Sequence, residues 1–323
     1  MQRRRVFGLL VAGMVLASTV GAPQAVAADP CRWIAHDLPV PDGSIFARTS
    51  GSSENSRFIV GESHIGESTH VESGLVWDNG ELTVMAPSGS EWIAVRPKDV
   101  NNSGVVVGRQ ERLLEHRTLA FRYRDGAYEM LETPDGHNSQ AKAVNNQGDV
   151  VGEVWQTDTP GSRKPVLWPN SGPARTFPPS GPVVGISDDG RMVLISGSSG
   201  FVVDVASGQR TELAGGKQFM VFDNDRVLHS SPAGIAEWNL DGQQVATWEG
   251  GTWPGGRTSS GHVVFGFVDK VATLWQWGIR YPVDSEKLPV FATAYYTDVT
   301  DEGALIGTYF DTDSRPARWF WCG

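Results

Sequence analysis

Residues 99–108 read DVNNSGVVVG and residues 143–152 read AVNNQGDVVG. The same phrase returns as ISDDGRMVLI at 186–195 and VTDEGALIG at 299–307, and more loosely as RTSSGHVVFG at 257–266. Two degenerate copies are NSRFIVG, from Asn55 to Gly61, and FDNDRVL, from Phe222 to Leu228. That makes seven anchors, about 34 to 47 residues apart. Self-similarity at such a period marks a repeat architecture.

A second phrase follows most anchors: LVWDNGEL at 75–82, AFRYRDGAY at 120–128, VLWPNSGPA at 166–174, FVVDVASGQR at 201–210, IAEWNLDGQQ at 235–244 and TLWQWGIR at 273–280. Each copy is an apolar or aromatic strand, a glycine-containing turn and a second short strand. Asn, Asp and Gly supply the positive φ angles of tight turns, and the flanking Val, Ile and Trp suit a pleated, half-buried surface. Each repeat therefore holds four strands, two around the N-x-G turn and two around the later glycine turn. Four strands in about 40 residues is the signature of a propeller blade. No helical periodicity competes with this pattern over any long window. The expected fold is an all-β propeller of seven four-stranded blades.

Two segments resemble the HAF-repeat family of extracellular bacterial proteins. Leu119-Ala120-Phe121-Arg122-Tyr123 matches its aromatic strand, with Leu119 where His is expected. Residues 141–152 (AKAVNNQGDVVG) match its AxAIN-x-x-GxVVG segment. The resemblance implies a fold and an extracellular location, and carries no catalytic residues.

The ends set compartment and closure. Met1 to Arg5 holds three arginines, an apolar run extends from Val6 to Ala22, and Ala25-Val26-Ala27 supplies the small residues that signal peptidase accepts. This predicts a signal peptide over 1–27 and a single propeller domain over 28–323, secreted and extracellular. Cys31 and Cys322, the two cysteines of the chain, sit at the two ends of the mature protein, and export makes a disulfide between them the expectation. The terminal phrase PARWFWCG (316–323) reads as an aromatic strand stopping at its turn, and CRWIAHDLP (31–39) as the strand that should follow. The last blade is thus expected to be shared by both termini, with the disulfide in place of the missing turn.

The chain has 27 Lys and Arg against 37 Asp and Glu, a formal charge of −10, and loses three arginines with the signal peptide. An acidic surface repels nucleic acid and anionic lipid, so neither is an expected partner. The mature chain is expected to be a monomer.

Catalytic motifs do not appear. There is no HExxH, nucleophile elbow or P-loop, and no catalytic residue, metal ligand or cofactor is assigned. His64 and His70 share a segment (62–74) read as a surface loop, where solvated histidines are the simpler account. Asp188-Asp189, Asp223-Asn224-Asp225 and Asp311-Thr312-Asp313 offer oxygens for calcium, but the first two occupy the repeat's turn and are explained by it. Trp92, Phe219, Trp248, Trp253, Tyr295 and Tyr296 fall where one repeat connects to the next. Trp92, Trp248, Trp253, Tyr295 and Tyr296 are the candidate ligand-binding residues, since aromatic rings on one propeller face can stack on sugars; packing as caps over the blade ends is the alternative. The expected function is a secreted, non-catalytic binding or scaffold protein for a glycan, a cell-wall component or a protein. The alternative is a polysaccharide-active hydrolase or lyase with its site in the central channel.

Overall fold

The computed structural model describes residues 33–321, except 67–71, 113–116, 158, 160, 180, 197–198, 214–217, 224, 270, 277–278, 284–293 and 311–312, and the side chains of 218–220 and 294–296. Cys31 and Cys322 lie outside the described residues, as do His70 and the Asp311-Thr312 pair.

Among the described residues every regular element is a β-strand, in antiparallel groups of four. In chain order β1 (Trp33–Asp37) comes first, then β2 (Ser44–Ser52), β3 (Phe58–Ile65), β4 (Glu72–Asp78) and β5 (Glu81–Met85). Next are β6 (Trp92–Val100), β7 (Val106–Arg112), β8 (Arg117–Arg124) and β9 (Ala127–Met130). The third group is β10 (His137–Val144), β11 (Val150–Gln156), β12 (Lys164–Trp168) and β13 (Arg175–Thr176). The fourth is β14 (Val183–Ile186), β15 (Arg191–Ser196), β16 (Ser199–Asp204) and β17 (Arg210–Leu213). The fifth is β18 (Gln218–Asp223), β19 (Arg226–Ser231), β20 (Gly234–Asn239) and β21 (Gln244–Glu249). The sixth is β22 (Trp253–Arg257), β23 (Val263–Val268), β24 (Val271–Gln276) and β25 (Ile279–Pro282). Last come β26 (Ala294–Val299), β27 (Leu305–Phe310) and β28 (Ser314–Trp321).

Strands β26, β27 and β28 are completed by β1, with Trp33 opposite Trp321. The groups β2–β5 and β6–β9 join through one parallel bridge, Glu72 to Ala94, into an eight-stranded sheet. The first strands of the groups, β2, β6, β10, β14, β18, β22 and β26, touch in sequence, and β26 touches β2. They form a closed ring around a central channel. The core lies between neighbouring sheets: Val105, Val107 and Ala120 of one pack with Val144, Val150, Val166 and Trp168 of the next. Burying each large apolar side chain contributes roughly 1.5–3 kcal/mol.

The repeated phrase has a physical reading. Each of the seven inner strands carries a β-bulge, at Ser50, Lys98, Lys142, Val184, Phe219, Gly255 and Thr297. The bulge drives a carbonyl of the inner strand toward its partner strand. A Cβ on Gly108 would stand 2.2 Å from the Arg96 carbonyl oxygen, and one on Gly152 would stand 2.0 Å from that of Gln140. The glycine that ends VVG is therefore required by the bulge opposite it.

The N-x-G turns link the sheets to one another. Asn101 Nδ2 donates to the Asn145 carbonyl (2.9 Å), and Asn145 Nδ2 to that of Ser187 (3.0 Å). The second turn residue repeats the arrangement through the backbone: Asn102 N donates to Asn146 Oδ1 (3.0 Å), and Asn146 N to Asp188 Oδ1 (2.7 Å). Asp188 and Asp189 thus serve the turn, the latter accepting from Ser187 and Arg191.

Candidate functional site: the central channel

The bulges divide the channel into two cavities that share Ser50, Lys98, Lys142 and Thr297. One, about 190 Å³, lies toward the N-x-G turns and is rich in carboxylates: Glu54, Asp99, Asp188, Asp223 and Asp298. The other, about 630 Å³, opens at the opposite end and is lined by Phe46, Arg48, Glu62, Arg96, Arg109, Thr308 and Phe310, among others.

The carboxylates of the small cavity are engaged in holding the ring. Asp99 Oδ2 accepts from Val144 N of the next inner strand (2.9 Å), and Asp223 Oδ2 from Arg257 N (2.6 Å). Asp298 Oδ2 accepts from Ser52 Oγ across the seam between last and first groups, and Oδ1 from Val299 N (2.8 Å). Burial raises all three carboxyls despite these bonds, Asp99 to about 6 and Asp298 to about 7, while Asp298 also raises Asp223. Asp223 and Asp298 flank the same glycine: a Cβ on Gly256 would stand 2.7 Å from Asp298 Oδ1 and 3.3 Å from Asp223 Oδ2.

The large cavity is organised differently. Its arginines are matched by glutamates: Arg48 Nε donates to Glu62 Oε1 (2.7 Å), Arg96 Nε lies 2.7 Å from Glu72 Oε2, and Arg109 Nε lies 2.8 Å from Glu111 Oε1. His64 Nε2 stands 3.1 Å from Glu72 and its ring 5.2 Å from that of Phe46. In the same cavity three hydroxyls cluster, Thr49 Oγ1 lying 3.2 Å from Thr297 Oγ1 and 3.4 Å from Thr308 Oγ1. Lys98 and Lys142 occupy equivalent bulges of β6 and β10, and neither forms an ion pair or hydrogen bond among the described residues. Burial lowers Lys142, opposed by Glu153 and reinforced by Lys98, Arg109 and Arg163.

The aromatic candidates are not brought together. Expected on connections, they stand on strands: the inner strands begin earlier than the turn residues suggest, and the outer strand β21 runs on through Trp248. Trp92 opens β6, buried beneath the Arg112 guanidinium at 4.5 Å. Trp248 is half-buried on the outer strand β21, packed with Ile235, Val264 and Trp275, and its Nε1 donates to Glu237 Oε2 (3.3 Å). Trp253 opens β22 and is 53% exposed, its ring 6.2 Å from that of Phe267. Tyr295, Tyr296 and Phe219 lie on β26 and β18, with side chains outside the described residues. Of the candidates whose side chains are described, Trp92, Trp248 and Trp253, none lines either channel cavity. His64 likewise lies on β3, not in a loop. The cationic residues of the larger cavity went unnoticed in sequence, although Lys98 and Lys142 hold the same place before the two sharpest copies of the repeat.

No family model and no curated protein matches this chain. Solved structures do. An oligogalacturonate lyase in complex with manganese aligns over 90% of this chain and 96% of its own, with a TM-score of 0.60 and 9% identity. A chain of a mitotic checkpoint complex aligns over 96% and 99%, with a TM-score of 0.53 and 14% identity. U3-55K aligns over 88% and 97%, with a TM-score of 0.54 and 10% identity. At these identities the likeness concerns the fold, and with the sheet topology it shows that the chain is an all-β propeller.

Proposed function

We propose that this protein is a secreted, monomeric binding propeller that takes an extracellular glycan in the larger cavity of its channel. The observation that carries this reading is the make-up of that cavity. Phe46 and Phe310 offer apolar surface, three threonines offer hydroxyls, and Lys98 and Lys142 offer unspent charge. Apolar walls with a few convergent polar groups are what a small-ligand site requires. The N-terminal pattern and the HAF-repeat resemblance support export and an extracellular setting. The pairing of β1 with β28 supports a Cys31–Cys322 disulfide, since it opposes Trp33, two residues after Cys31, to Trp321, one residue before Cys322. Such a bridge closes nearly the whole chain and is worth on the order of 5 kcal/mol in the chain-entropy model. An unchanged melting temperature on reduction would remove it.

The catalytic alternative, a lyase, is favoured by one observation: the lowered affinity of Lys142 for its proton suits it to act as a base. A binding screen of the mature protein against extracellular glycans, followed by ultraviolet detection of unsaturated sugar products, separates the two readings. Phe46→Ala is expected to abolish binding and Trp253→Ala to leave it intact. The reverse pattern would place the ligand at the exposed tryptophan and sink the channel site.

A further inference from the structure

We propose, building on the reading that the larger cavity is the ligand site, that the group it recognises is a sugar carboxylate held between Lys98 and Lys142, so that the ligand is an acidic, uronate-type saccharide.

The charges around the cavity lead to this assignment. Arg48, Arg96 and Arg109 are each matched by a glutamate within hydrogen-bonding reach. Asp99 and Glu153, the carboxylates that interact electrostatically with Lys98 and Lys142 respectively, are also committed. Asp99 accepts from Val100 N and Val144 N, each at 2.9 Å. Glu153 Oε2 accepts from Gln140 Nε2 and Arg163 Nη1, each at 2.7 Å. Two adjacent ammonium groups are thus left without a hydrogen-bonding anion in a chain whose formal charge is −10. Adjacent like charges without a bound anion disfavour each other, and Lys142 is pulled down in part by Lys98.

Their placement comes from the fold. A β-bulge re-aims the side chain at its extra residue. The ring of bulges puts Ser50, Val184, Gly255 and Thr297 at equivalent places on other inner strands, so two neighbouring lysines make one side of the ring cationic. The same cavity is lined by Thr49, Thr297 and Thr308 and by the rings of Phe46 and Phe310, from the strands that precede β6 in the ring and from β27 beside them. A carboxylate accepts from both ammonium groups in charge-assisted bonds. The hydroxyls and rings suit the remainder of a sugar ring. A neutral saccharide would bring the lysines no hydrogen-bonding anion.

Calorimetric titration of the full mature chain tests this with three ligands: oligogalacturonate, a neutral galactose oligomer of equal length, and a glycerol-phosphate polymer. Oligogalacturonate is expected to bind tightest, with affinity falling as salt rises. Lys98→Gln and Lys142→Gln are each expected to weaken it roughly tenfold or more. Lys164→Gln, on the exposed edge of β12, is expected to change nothing. Melting curves should show both channel variants folded, since neither lysine has an internal bond to lose. Equal binding of the acidic and neutral oligomers, unaffected by both variants, overturns the carboxylate and leaves the glycan site standing. Preference for the glycerol-phosphate polymer overturns the carboxylate in favour of phosphate. Failure of all three ligands to bind overturns the glycan reading and this inference with it.

Discussion

The third and fifth blades perform the same task with different chemistry. In the third, β10–β13, Asn145 closes its own turn by accepting from Asp149 N (2.8 Å) and reaches the next blade by donating to the Ser187 carbonyl (3.0 Å). Gly152 leaves room for the Gln140 carbonyl. In the fifth, β18–β21, the turn is shorter, and Asp225 takes a positive φ of 56° in place of glycine. The link forward is a carboxylate, Asp223, accepting from Arg257 N (2.6 Å). The residue after the buried Val227-Leu228 pair is His229, where the third blade has glycine after Val150-Val151. Its Nε2 accepts from Trp238 Nε1 (2.6 Å) and its Nδ1 lies 3.0 Å from the Ser230 carbonyl. The ring therefore does not need the repeat's sequence in every blade. It needs a closed turn and a hydrogen bond to the next blade. A neutral amide supplies the link without a charge, whereas a carboxylate in the same belt is raised by burial and makes the link sensitive to pH.

The largest effect that would break this contrast lies at the bulge. Gly152→Ala forces a Cβ against backbone and should destabilise the protein by about 3 kcal/mol or more. His229→Gly restores the consensus glycine in the fifth blade, yet should cost about 2 kcal/mol by leaving the buried Trp238 Nε1 without an acceptor. Denaturant unfolding measures both, and a stabilised His229→Gly would show that the consensus is preferred everywhere. Asn145→Ala removes both of that side chain's links and should cost about 2 kcal/mol, read in the same way.

The smallest expected effect concerns pH. Asp298 faces the same glycine as Asp223 and has its carboxyl raised to about 7. A raised folded-state value favours the protonated carboxyl. Its stabilising contribution is whole below pH ~4, where the unfolded chain is also protonated, and is lost as pH rises to about 7. Asp298→Asn mimics the protonated side chain, with its amide free to donate to Ser52 and its oxygen to accept from Val299. It should match wild type near pH ~4 and gain on the order of 1–2 kcal/mol near pH ~8 in thermal unfolding. A gain independent of pH would show that Asp298 is not the titrating group.

Much of the fold was legible because turn chemistry and strand patterning are local. The phrases at 99–108 and 143–152 announced the hairpin around the N-x-G turn, and the aromatic phrase announced the outer strands. The terminal phrases announced a blade shared by both ends, which the β1–β28 pairing reproduces. The site was less legible. Trp92 and Trp248 looked like ligand platforms but spend their surface on packing, since an aromatic residue near a turn carries the same sequence signal whether it points outward or down. Lys98 and Lys142 share a place before the two sharpest copies of the repeat, but a shared repeat position does not by itself say that a side chain lines the channel.

The sequence by itself determined the repeated four-stranded unit, its turns and the shared last blade, because each follows from residues adjacent in the chain. The tertiary structure alone decided what the channel contains. Side chains from seven strands meet there, and only ring closure and a bulge in each inner strand bring Lys98 beside Lys142 and the threonines and phenylalanines into the same cavity.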